Sequence, residues 1–197
     1  MRNTKVKLLI TLLVLGVVGS IAGFGSYSAF SSTTDNSGNS FAAGTVFVSD
    51  NDAVQAMYSV TNQKPGDSVQ KCITVTYTGS LAGTVKLYTA STIGTLGQYI
   101  DLTVEKGSFT SGTPAFPTCT NFSGSSIFSG TLANFASTKS SYANGVSAFP
   151  GSQTQWNQND TVVYRFTLTL QDNSGANGGA SPLSTGSHAF TWEAQAQ

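Results

Sequence analysis

The chain predicts an all-β protein, a jelly-roll-like antiparallel β-sandwich preceded by an N-terminal apolar signal helix, on three observations. Short segments alternate apolar and polar residues at every second position, the pattern of half-buried strands. Gly, Asn and Ser clusters separate them at short spacing, as in sandwiches and barrels. Charged residues are only 9% of the chain, too few for the polar faces of a helical bundle, while hydroxylated side chains suit the outer faces of strands.

At the start, Arg2, Lys5 and Lys7 precede an apolar centre over residues 8–18 and then small residues, the order of an export signal. Removal of residues 1–29 leaves one domain's length, divided into a polar linker over 30–40 and a sandwich over 41–197. The alternative is retention of the apolar run as an anchor, which Gly16, Gly19, Gly23 and Gly25 weaken as a helix. Beyond the linker, strands are expected over 41–48, 53–60, 69–78, 84–89, 98–105, 161–170 and 187–197. Pro65 and Gly66 set a tight turn before the third. Ile73, Val75 and Tyr77 share its inner face, and Cys72, Thr74 and Thr76 share the outer one. Residues 106–126, rich in Gly, Ser and Pro, read as a long loop, and Leu132, Phe135 and Ala136 read as one helical turn.

Cys72 and Cys119 are the two cysteines, and in an exported chain they have one intramolecular pairing. The bond would pin the 106–126 loop across the outer face of the Cys72 strand, and its loop closure stabilises by roughly 4 kcal/mol.

The string Tyr27-Ser28-Ala29-Phe30-Ser31-Ser32-Thr33, followed by Gly38-Asn39-Ser40-Phe41-Ala42-Ala43-Gly44-Thr45-Val46, resembles the amino-terminal signature of the TasA/camelysin family of secreted bacterial proteins. Pro65-Gly66-Asp67-Ser68 with Thr76-Tyr77-Thr78-Gly79-Ser80 is similar to that family too, and residues 164–172 with 190–193 look like the carboxyl end of its actinobacterial members. The resemblance implies a jelly roll, processing by a SipW-type signal peptidase between Ala29 and Phe30, and assembly into biofilm matrix fibres. The small-x-small rule, met by Ser26 and Ser28, puts the cut one residue earlier. Phe30, Phe41, Val46 and Phe47 are the apolar candidates of a strand donated to a neighbouring copy, and the linker between them reaches about 33 Å when extended. The expected partners are therefore the chain itself, the signal peptidase, and matrix proteins or polysaccharide, in the extracellular matrix or at the cell surface.

Camelysin is classed as a metallopeptidase, but the residues expected of such a site are missing from the sequence. His188 is the one histidine and no H-E-x-x-H motif occurs, while Glu105 and Glu193 fall on outward strand positions. No enzyme activity, metal or other cofactor is expected. The turns at Asp50-Asn51-Asp52 and at Asp172, Asn173 and Asn177 offer oxygens to calcium, although Asx residues favour turns for backbone reasons alone. Asn121 and Asn159 begin glycosylation sequons. An alternative function is a carbohydrate-binding or adhesin module using the loop aromatics Trp156 and Tyr142, although a loop tryptophan folded down to cap the core is the favoured reading of Trp156. Downstream of residue 29, six basic side chains face nine acidic ones, so no basic stripe exists for a nucleic acid.

Overall fold

A computed structural model describes residues 2–24, 43–177 and 183–197 of the protein. The predicted cleavage junction Ala29–Phe30, the linker and Phe41 lie outside the described residues. The chain divides into two compact units, Met1–Ala42 and Ala43–Gln197. In the first, α1 (Arg2–Phe24) is a helix whose leucines at 8, 9, 12 and 13 are exposed. Among the described residues no helix is long and apolar enough to cross a membrane.

The second unit is a two-sheet antiparallel sandwich. One sheet has five strands: β1 (Val48–Asp50), β2 (Ser68–Tyr77), β4 (Ile100–Phe109), β5 (Phe122–Thr131) and β7 (Thr161–Leu170), in the order β1-β2-β7-β4-β5. The other has three: β3 (Gly83–Tyr88), β6 (Val146–Ser147) and β8 (Thr191–Ala196), in the order β6-β3-β8. β7 lies at the centre of the large sheet, with Val75 opposite Val162 in β2 and Val104 opposite Phe166 in β4. Period-two alternation sends one side of β2, β3, β4 and β7 inward, so Ile73, Val75, Tyr77, Val85, Leu87, Leu102, Val104, Val162, Tyr164 and Phe166 form one buried cluster. Phe166 packs on Phe190 and edge-on to Trp192, joining the two sheets through aromatic rings.

The turn at Pro65-Gly66 forms as expected. The Asp67 N–H donates to Lys64 O, and Gly66 sits at φ +84°, which glycine alone adopts without a steric penalty. The helical turn also forms as α2 (Leu132–Thr138), its amino terminus capped by Thr131 Oγ1 accepting from the Asn134 N–H.

Three expectations are corrected. Residues 53–60 form no strand: Asp50 and Asp52 side chains accept from the backbone N–H groups two residues on, and Ala53 and Val54 take positive φ. That turn leaves Val54 fully solvated and ends the extended run before it can pair. The predicted strand over 41–48 is shorter and later: β1 starts at Val48, although Thr78 N–H donates to Phe47 O and Leu81 N–H to Thr45 O just before it. Residues 106–126 are not one long loop. β4 runs on to Phe109 and β5 returns from Phe122, with only 110–121 between them. The Ser- and Gly-rich composition hid this hairpin, yet the close pairing requires small residues, because a Cβ at Gly107 would stand 2.0 Å from Ser123 O.

Candidate functional site

Cys72 and Cys119 are disulfide-bonded, with Cα atoms 5.1 Å apart. Cys72 N–H also donates to Pro117 O at 3.0 Å. The 110–121 loop thus leaves the β4–β5 hairpin, crosses the large sheet to β2 and lies along that strand's outer edge. Next to it Thr74 N–H donates to Asn51 Oδ1, and beyond that β1 pairs residues 75–77. The edge of β2 is closed in three successive ways, which blocks an added strand there.

The edge of β8 is different. Gln197 N–H donates to Ala82 O, and this fixes the phase of the β3–β8 ladder. The backbone groups of Trp192 and Ala194 therefore point away from β3, and among the described residues no backbone partner meets them. At this side of the sandwich a cleft of about 620 Å³ opens between residues 52–60 and 184–190, with Ile73, Met57, Phe190 and Trp192 among its walls. Residues 52–60, which supply one wall of the cleft, form no strand.

Tyr58 and His188 tie the two walls together. The His188 ring stands 2.5 Å from the Tyr58 hydroxyl through Nε2, and 3.0 Å from Gly186 O through Nδ1. A carbonyl only accepts, so Nδ1 carries the proton, and Nε2 accepts from the Tyr58 O–H. Burial pushes the Tyr58 hydroxyl well above its usual pKa and keeps it a donor. Both nitrogens of the one histidine are thereby engaged, as expected of a structural residue.

The acidic groups are engaged as well. Glu105 forms a two-pronged ion pair with Arg165, at 2.5 Å to Nε and 2.7 Å to Nη2, and the guanidinium lies under the Phe122 ring. Glu193 accepts from Gln195 and from the Tyr88 hydroxyl, which hold its carboxyl below the usual range. Asp160 accepts from the Asn157 N–H, and the Asp50-Asn51-Asp52 side chains accept from backbone N–H groups. Among the described residues no three His, Cys, Asp or Glu side chains converge to hold a metal ion. The second calcium candidate is a 3-10 turn over Ser174–Asn177, where Asn173 Oδ1 accepts from the Gly175 N–H.

Trp156 does not offer its ring to a sugar. It is fully buried, donates from Nε1 to Ala148 O at 2.7 Å, and pairs its backbone with Gly83. Tyr142 donates to Thr84 O and carries the Lys86 ammonium 4.8 Å from its ring centre. Of the donor-strand candidates, Val46 packs against its own core, Phe47 is 59% exposed, and Phe30 and Phe41 lie outside the described residues. The cleft itself had no legible signal, because its walls come from segments 130 residues apart in sequence, joined at Tyr58 and His188.

Residues 3–103 match the family described as camelysin metallo-endopeptidase. The chain belongs to the camelysin family, the one its amino-terminal signature resembles. No curated protein matches it. The metal that the family's description implies finds no fitting donor set here: the one histidine is held by Tyr58 and Gly186, and the two glutamates by Arg165 and by Tyr88 with Gln195.

Proposed function

We propose that this camelysin-family chain is a secreted structural subunit of the cell surface or biofilm matrix, which assembles with copies of itself by strand donation. The observation that carries the reading is the open edge of β8 beside a cleft of mixed lining that includes Met57, Ile73, Phe190 and Trp192, on the side where the three-stranded sheet is incomplete. An extended segment laid along that edge gains main-chain hydrogen bonds from Trp192 and Ala194 and sets every second side chain into the cleft. The donor is the amino-terminal stretch 30–42 of a neighbouring copy, with Phe30 and Phe41 as anchors, since Val46 is already engaged in its own core. Donation from one copy to the next does not close on itself, so the product is a fibre. Processing by a SipW-type peptidase between Ala29 and Phe30 supplies the free terminus. The role is non-enzymatic, in keeping with side chains that are engaged in structural bonds. Negative-stain images and size-exclusion profiles of the chain starting at Phe30, compared with one starting at Ala43, test it. Fibres from the first alone are expected. Monomers from both at high concentration would overturn the proposal.

A further inference from the structure

Among the described residues the outer edge of β5 is another open strand edge of the sandwich, and its chemistry is unlike that of the others. Thr110 N–H donates to Asn121 O at 2.8 Å, in phase with Ser108 opposite Ser123 and Lys106 opposite Ser125. Those residues face β4, so the C=O of Phe122 and the N–H and C=O groups of Gly124 and Ser126 point outward, while the Phe122 N–H donates to Cys119 O. The register shift between Val104 and Glu105 leaves Ile127 without a partner and ends the regular edge there. Residues 123–126 are exposed.

Natural edges are usually blunted by charge, proline, brevity or a covering segment. β6 has two residues, and β1 has three and carries Asp50. The edge of β2 beyond β1 is covered by Asn51 and the disulfide-held loop, while β8 carries Glu193. β5 has ten residues and neither a charge nor a proline. This difference decides which partner each edge admits. An antiparallel pairing of one edge with its own copy sets identical groups across a twofold axis, so a charge near that axis meets its like. Asp50 and Glu193 oppose such pairing, whereas nothing on β5 does. On the neighbouring strands Arg165 pairs with Glu105 beneath Phe122, and Lys106, opposite Ser125, is held by Phe149 O and Gly151 O. Ser123, Gly124 and Ser125 are small enough for two backbones and the sheets behind them to approach closely.

We propose that β5 is an interaction surface for a second copy of this chain: residues 122–126 of two copies pair antiparallel about a twofold axis at Gly124, making one continuous ten-stranded sheet. Phe122 of each copy then lies opposite Ser126 of the other, and Ser123 opposite Ser125. This contact is closed and lateral, and it differs from end-to-end donation at β8 in site and symmetry.

Hydrogen exchange on the full wild-type chain as a function of concentration is the first test. Protection of the Gly124 and Ser126 amides is expected to rise with concentration, together with a shift from monomer to dimer in sedimentation. Strand donation would instead protect Trp192 and Ala194, so the two contacts are read separately. Exchange at Gly124 and Ser126 that stays independent of concentration overturns the proposal. The second test uses the charge variants S123K/S125K and S123D/S125D. Each alone is expected to lose the dimer, and an equimolar mixture is expected to regain it as a heterodimer. A mixture of folded variants that stays monomeric refutes the pairing.

Discussion

Replacing both Cys72 and Cys119 with alanine removes the covalent hold on the 110–121 loop without leaving a free thiol. The bond spans 47 residues. For a closed loop of that length the chain-entropy relation gives about 14 cal/mol/K, or about 4 kcal/mol at room temperature. In a domain of this size each kcal/mol moves the midpoint by about 2–4 °C, so the double variant should melt about 8–16 °C lower. The effect has a local counterpart. Without the bond, the Pro117 carbonyl is held at Cys72 N–H by that hydrogen bond and the loop's own packing alone, so exchange at the Cys72 amide should quicken more than at Val75, which pairs with β1 and β7. Differential scanning calorimetry and amide exchange measure the two effects. A midpoint within about 3 °C of the wild type would refute the loop-closure reasoning. Unchanged exchange at Cys72 would refute the covering of the β2 edge by the loop.

Trp156→Ala should cost about 3–5 kcal/mol in a denaturant titration, because it empties a fully buried site against Tyr77 and leaves Ala148 O without its donor. Glu105→Ala leaves the partly buried Arg165 guanidinium without its carboxylate and should cost about 1–3 kcal/mol, with weaker salt dependence than an exposed pair shows. Burial raises the folded-state pKa of Tyr58 and Tyr164 above the ordinary value of 10.0. Their contribution to stability is thus complete below that pH and is lost as pH rises above it, so melts followed with tyrosinate absorbance should show a falling midpoint in alkaline buffer. Tyr88→Phe removes one of the two hydrogen bonds that depress the Glu193 carboxyl, and its titration, followed by NMR, should move upward.

The proposed lateral pairing at β5 and the proposed donation at β8 would use the same main-chain chemistry with different selectivity. In that proposal Glu193 opposes pairing of β8 with another β8 and leaves it open to an uncharged donor such as the segment around Phe41. The closing of β2 by Asn51 and by the disulfide-held loop removes an edge that would otherwise compete with both. A sandwich that assembles through strand edges needs some edges blocked, since unselective pairing leads to aggregation.

Period-two alternation needs only local sequence, so β2, β7 and the inward set Ile73, Val75, Tyr77, Leu102, Val104 and Phe166 were readable from residues alone. The Pro65-Gly66 turn and the Thr131-capped helix were readable for the same reason, their determinants lying within four residues. The two cysteines allowed one partner each, so their pairing followed from counting. β5 was hidden because Ser and Gly carry no alternation, and its pairing is decided by the close approach at Gly107 that only small residues permit. Residues 53–60 failed in the opposite sense: their side chains alternate, but the Asp50 and Asp52 turns set the backbone first. For Trp156 the sequence favours a loop ring folded down onto the core over a sugar platform, and the structure bears this out, although its partners Tyr77 and Ala148 are set by tertiary structure. The open edges of β8 and β5, and the cleft that Tyr58 and His188 close, belong to tertiary structure alone: an edge is defined by which strands are not beside it, and distant segments decide that.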